Sequence, residues 1–201
     1  MSFYNKPIDH TYFSISFTSN PKYDFAAFAK GYSSATSTLA NHLIERIDFP
    51  DYDAYPVVFL YRHAFELSLK NIIYWPARLL AFKGVEDIGE KLCNIHDLVK
   101  LAQNAEIILL KAFPGDQSLH EFTQDFVSTA QEFSEIDPGS YSYRYPISRQ
   151  GDYLTPKGQS VNLSSLSEHM ETILDNLDTI NFGLNLETNI AQEVYEAYMN
   201  L

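Results

Sequence analysis

Cysteine is almost missing from this 201-residue chain: Cys93 stands alone, so no intramolecular disulfide can form, and a reducing compartment suits such a chain. Long apolar runs are missing too. Runs such as Ile107 to Leu110 fall far short of the ~20 residues that a membrane-spanning helix requires. The opening Met-Ser-Phe-Tyr-Asn-Lys-Pro has no basic stretch leading into an apolar one, so the expected location is the cytoplasm, with no membrane partner. Basic residues are scarce, 14 against 26 acids, for a net charge of −12. After Lys157 they stop altogether, while Glu168, Glu171, Asp175, Asp178, Glu187, Glu193 and Glu196 accumulate. Phosphate affinity rests on Lys and Arg, so broad DNA binding is excluded, and Arg144, Arg149 and Lys157 mark the one region where a local basic site is conceivable.

Several chemistries are also missing. There is no His-Glu-x-x-His zinc motif and no Glu-x-x-His pair of the di-iron bundle kind. No Gly-x-x-x-x-Gly-Lys-Ser/Thr loop, Gly-x-Gly-x-x-Gly or Gly-x-Ser-x-Gly occurs. Neither a metal site nor a bound cofactor is expected.

What is present is an ordinary globular composition, 45% hydrophobic and 20% charged, in a length that suits one domain, here residues 1–201. Aromatics are abundant, with 14 Phe and 14 Tyr, enough to fill a core with rings. Residues 1–21 read as an extended arm, because Phe13, Ile15 and Phe17 alternate with Ser14 and Ser16 before Pro21. From Asp24 the spacing becomes three and four: Phe25, Phe28, Tyr32, Ala35, Leu39, Leu43 and Ile47 predict a helix over 23–47. A second helix is predicted from Pro56 to Tyr74, with Pro76 forcing a kink or restart and Gly84 ending the restarted piece. A third begins after Asn94, with Asp97 at its N-terminus, and runs to Ala112. A fourth covers Ser118 to Glu135, ended by Pro138-Gly139. Residues 139–162 read as an irregular insertion or small β-hairpin, with Tyr141, Tyr143 and Tyr145 alternating with Ser142 and Arg144, and Thr155-Pro156-Lys157-Gly158 as a turn. Helix returns over Leu163 to Phe182, pauses at Gly183 and resumes at Thr188. The expected fold is all-α, a bundle of five or six helices.

The second helix carries the main candidate site. It is apolar on nearly every side, yet Arg62, His63, Glu66 and Lys70 interrupt it. At ~100° per residue these four share an arc of about 100°, and Arg62–Glu66 and Glu66–Lys70 are i,i+4 pairs. Charges on a buried helix need partners. Two readings follow: a structural ion-pair ladder, or a stripe lining a polar cleft or subunit interface, where titrating and anion-binding groups are useful. His96, Asp97, Arg144 and Tyr145 are further ligand candidates. Asp97 is also placed as a helix N-terminal residue, Arg144 among tyrosines suits ring stacking or anion binding, and Cys93 is expected as a small packed residue.

The run Phe59-Leu60-Tyr61-Arg62-His63-Ala64-Phe65-Glu66-Leu67-Ser68-Leu69-Lys70, then His96-Asp97-Leu98-Val99-Lys100-Leu101, then Tyr143-Arg144-Tyr145-Pro146 and a Gly-containing loop into Asn162-Leu163, resembles bacterial HEPN-like proteins over residues 55–182. That resemblance implies a helical bundle, frequent homodimers, nucleotide or RNA ligands, and settings such as toxin–antitoxin pairs or phage defence. Catalytic members carry Arg followed by His after four to six residues and act as metal-independent ribonucleases. None of the five arginines here, Arg46, Arg62, Arg78, Arg144 and Arg149, has His at that spacing. The expectation is therefore a non-catalytic binding module for a small anionic ligand, nucleotide or partner protein, acting through Arg62, His63, Glu66, Lys70, His96, Asp97, Arg144 and Tyr145. The alternative is a diverged ribonuclease with Arg62, His63 and His96 as catalytic candidates.

Overall fold

A computed structural model describes residues 24–46, 48–81, 88–137, 139–148, 150–154 and 160–199. Helix accounts for 78% of them and no strand occurs among them, as the three-and-four periodicity predicts. The arm at 1–21, with its alternating segment 11–17, lies outside the described residues, as does the turn at 155–158.

Helix α1 spans Phe25–Ile44 and starts where the Asp24 carboxylate accepts the Ala27 N–H at 3.1 Å, meeting one of the orphan donors of a helix N-terminus. A 3₁₀ turn at Asp51–Asp53 leads into α2, Ala54–Ala81. Val57, Val58, Tyr61, Ala64, Phe65, Leu69, Ile72 and Ile73 of α2 are all buried, because α1, α4 and α6 pack around it. This is the central helix that its all-round apolar character demands. Of the two outcomes expected at Pro76, a kink or a restart, the restart does not occur: Pro76 lies inside one continuous helix. A mid-helix proline costs roughly 3 kcal/mol, and packing on several sides of α2 outweighs it; the predicted end at Gly84 lies outside the described residues.

Helix α3 is a short piece, Ile88–Cys93, too brief for its periodicity to be read in the sequence. It buries Leu92 and leaves Cys93 exposed, contrary to the packed cysteine expected; on so short a helix only one direction faces the core. Helix α4, Leu98–Ala112, is capped by Asp97, whose carboxylate accepts the Lys100 N–H at 3.0 Å. Gly115, at φ +84°, turns the chain after α4, a left-handed conformation that costs glycine little. Helix α5, Gln117–Ile136, begins at Asp116, which caps Leu119 N at 3.0 Å, and packs on α4.

Between α5 and the last helix the described residues are irregular. One isolated antiparallel bridge, Ile147 to Tyr153, closes a small loop in which Ser148 N donates to Asp152 O at 2.8 Å. Helix α6 then runs unbroken over Leu163–Met199, without the predicted pause at Gly183. Asn181 and Leu184 on either side of that glycine remain buried on one face, so the packed surface carries the helix through a residue costing only about 1 kcal/mol.

Candidate functional site

The polar groups of α2 meet two other segments, the turn before α4 and the bend after α5. Arg62 is fully buried and Glu66, Lys70 and Asp137 nearly so. Arg62 Nη1 donates to Glu66 Oε2 at 3.1 Å, and Nη2 donates to the carbonyls of His96 at 3.0 Å and Asp137 at 3.4 Å. Lys70 Nζ donates to Glu66 Oε1 at 2.8 Å. The Asp137 carboxylate lies 3.6 Å from Arg62 Nε, too far for a hydrogen bond, and spends its other oxygen on the N–H groups of Tyr141 and Ser142 at 2.7 and 2.9 Å. Two cations and two carboxylates thus balance inside the bundle, the arrangement a buried charge requires. Of the two readings of the stripe, the packing places Arg62, Glu66 and Lys70 behind the surface, as a ladder tying α2 to its neighbours.

Asp137 was not legible as a partner. Its place at a helix end before Pro138-Gly139 signals a backbone-bonding aspartate, which it is, but nothing in the sequence marks it as facing Arg62 across 75 residues.

Outside the ladder the same groups continue to the surface. His96 Nδ1 is 3.0 Å from Glu66 Oε1, while half of its side chain, 52%, is exposed. With Glu66 ionised, Nδ1 carries the proton and Nε2 is left as the outward nitrogen. Burial works to raise the Glu66 pKa, but the hydrogen bond and charge of Lys70, the His96 hydrogen bond and the Arg62 charge together hold it below the usual carboxylate value of 4.5. His63, a ladder neighbour on α2, turns the other way. It stacks on Phe59 with centroids 5.7 Å apart and meets the edge of Tyr32 from α1 at 4.6 Å. Burial lowers its pKa below 6.5, against the pull of Glu66 and reinforced by Lys70, Arg144 and Arg62. The neutral form of His63 is therefore favoured.

Arg144 completes the surface. Its guanidinium lies 5.4 Å from the Phe59 ring, 5.3 Å from Tyr141 and 5.7 Å from Tyr145, and Nε donates to the Ser140 carbonyl at 2.7 Å. Ser140 holds a φ of +62°, a conformation that non-glycine residues occupy rarely and at a cost. That twist turns the carbonyl to Arg144 while the next two N–H groups reach Asp137. Gly139 leaves room just before it, since a Cβ there would stand 2.7 Å from the Tyr141 ring and push it aside.

Of the sequence candidates, the fold brings Arg62, Glu66, Lys70 and His96 into direct contact and links His63 to Arg144 through Phe59. Tyr145 lies beside Arg144, whereas Asp97 is occupied as a helix cap. Phe59, Tyr32, Tyr141 and Ser140 are additional members, unmarked in the sequence because each acts through a neighbour. No cluster of His, Cys, Asp and Glu fit to hold a metal occurs among the described residues, and no described helix is long and apolar enough to cross a membrane. No family model, curated protein or solved structure matches the chain.

Proposed function

We propose that this all-α chain is a HEPN-like binding module that takes a small anionic ligand, a phosphate group foremost, on the surface formed by Arg144, His63, His96 and Tyr145. The observation that carries this reading is Arg144: an exposed cation fixed by three aromatic rings and one carbonyl, in a chain whose net charge is −12. A guanidinium held in advance loses little freedom on binding and offers paired N–H groups to an oxyanion. His96 stands over the same ladder with its ring fixed by Glu66, half exposed beside the anion site. Arg62, Glu66 and Lys70 serve this surface from below, by holding α2, the α4 turn and the Ser140 loop together.

Isothermal titration with orthophosphate, and then with a nucleoside monophosphate, tests the proposal. Binding that weakens at least ~10-fold in Arg144→Ala, about 1.4 kcal/mol, is the expected result; affinity unchanged by that substitution would dispose of the site.

A second reading, a diverged metal-independent ribonuclease of the kind found in toxin–antitoxin or phage-defence settings, is favoured by one observation. A buried carboxylate orients His96 and draws on His63 as well, so one imidazole can take a proton while another group donates one. The absent Arg-to-His spacing weighs against it. RNA cleavage in the presence of EDTA, lost in His96→Ala, would establish this reading over the first. In either case the family resemblance and the exposed Tyr141, Tyr145 and Tyr153 support pairing of two copies around the 139–162 loop, as aromatic surfaces are common in interfaces.

A further inference from the structure

Helix α6 has two apolar faces, and only one of them is used by the bundle. Ile173, Leu177 and Leu184 on the inner face are buried against the body. On the outer face Phe182, Leu186, Ile190 and Val194 recur every four residues and are 74%, 52%, 48% and 63% exposed. At ~100° per residue this second row lies roughly opposite the first. From Asn185 to Ala197 no described side chain is buried at all. A row of large apolar residues spaced i, i+4 is the ridge that helices use to pack against one another, and an exposed patch of that kind marks an interaction surface.

We propose that this outer face of distal α6 docks a basic amphipathic helix of a partner protein. Charge selects the occupant. Glu187 and Glu193, both exposed, flank the row, and residues 158–201 contain seven acids and no Lys or Arg. A second copy laid along the strip would set these carboxylates against each other. An anionic lipid surface would be repelled, because helices that lie on membranes rely on Lys and Arg beside the apolar face. The row exposes only a few hundred Å², short of the ~800 Å² per partner of a stable two-sided interface, but enough for one helix. A partner helix with an apolar stripe bordered by Lys or Arg matches both the ridge and the charge.

The test uses a fluorescent 18-residue peptide of Leu and Lys with Leu on one helical face, and the same composition scrambled. Anisotropy should report binding of the first peptide only, weakening as salt is raised. It should weaken at least ~10-fold in Leu186→Glu/Ile190→Glu, with circular dichroism confirming that the fold persists. Glu187→Lys/Glu193→Lys, which leaves the apolar row intact, should weaken it as well. The proposal is overturned by no binding, by equal binding of the scrambled peptide or the variants, or by capture on phosphatidylserine vesicles. A wild-type dimer that becomes monomeric in Leu186→Glu/Ile190→Glu would overturn it in favour of a second copy.

Discussion

Arg62→Ala removes the one group that touches all three segments of the ladder. In the wild type Arg62 and Lys70 balance Glu66 and Asp137 inside the bundle. After the substitution one cation faces two buried carboxylates, and the carbonyls of His96 and Asp137 lose their shared donor. Breaking a buried pair from one side costs on the order of 3–5 kcal/mol, a large part of the ~5–15 kcal/mol that a domain of this kind possesses. Glu66 retains Lys70 and His96, so the uncompensated charge falls mainly on Asp137. Adding Asp137→Asn should therefore recover part of the loss, since Asn keeps an oxygen for the Tyr141 and Ser142 N–H groups while shedding the charge. Urea unfolding of wild type, both single variants and the double variant measures this. An Arg62→Ala protein within about 1 kcal/mol of wild type would refute the ladder, because a loss that small belongs to solvent-exposed pairs.

Acid should weaken the fold in two stages. Because the folded state holds the His63 pKa below 6.5, the unfolded chain binds the extra proton first, so stability is complete above pH 6.5 and declines as pH falls toward the folded value. Glu66, held below 4.5, adds a further loss as pH drops below 4.5 through its own folded pKa; melting curves from about pH 8 down to about pH 2 should show both stages, and His63→Phe should remove the upper one. Gly139→Ala should cost about 1 kcal/mol, the low end of overpacking because the exposed Tyr141 ring can turn aside, yet weaken phosphate binding by opening the Arg144 clamp. Its affinity would have to stay at the wild-type level to contradict this. Sedimentation equilibrium at micromolar concentration and ~0.15 M salt, where screening extends about 8 Å, should show a dimer of the 23.0 kDa chain; one monomeric species throughout would end the proposal of pairing.

The sequence carried the helical class and most helix positions, because Phe25 to Leu43 and Leu119 to Phe133 repeat at a spacing that only a one-sided helix explains. It wrongly allowed a restart at Pro76 and a pause at Gly183 for a single reason. Both are breakers locally, and both stand in helices whose flanking residues, Ile72 and Ile73 or Asn181 and Leu184, are buried by tertiary packing that local propensity does not contain. At the site, the i,i+4 charges of α2 could be read directly, since helix geometry alone brings Arg62, Glu66 and Lys70 together. The link from Glu66 to His96 spans 30 residues and that from Arg62 to Asp137 spans 75; such pairings depend on how helices cross. The burial of the ladder was equally hidden, because the same stripe fits a cleft until His96 and Asp137 are seen to close on Arg62.

A sealed Arg62 and the proposed phosphate-binding Arg144 can be told apart directly by the Nε–Hε signals of the two arginines. In ¹⁵N-labelled protein titrated with orthophosphate, the Arg144 signal should shift and saturate, together with the His96 ring signals, while Arg62 stays in place. Movement of Arg62 with Arg144 silent would contradict the account.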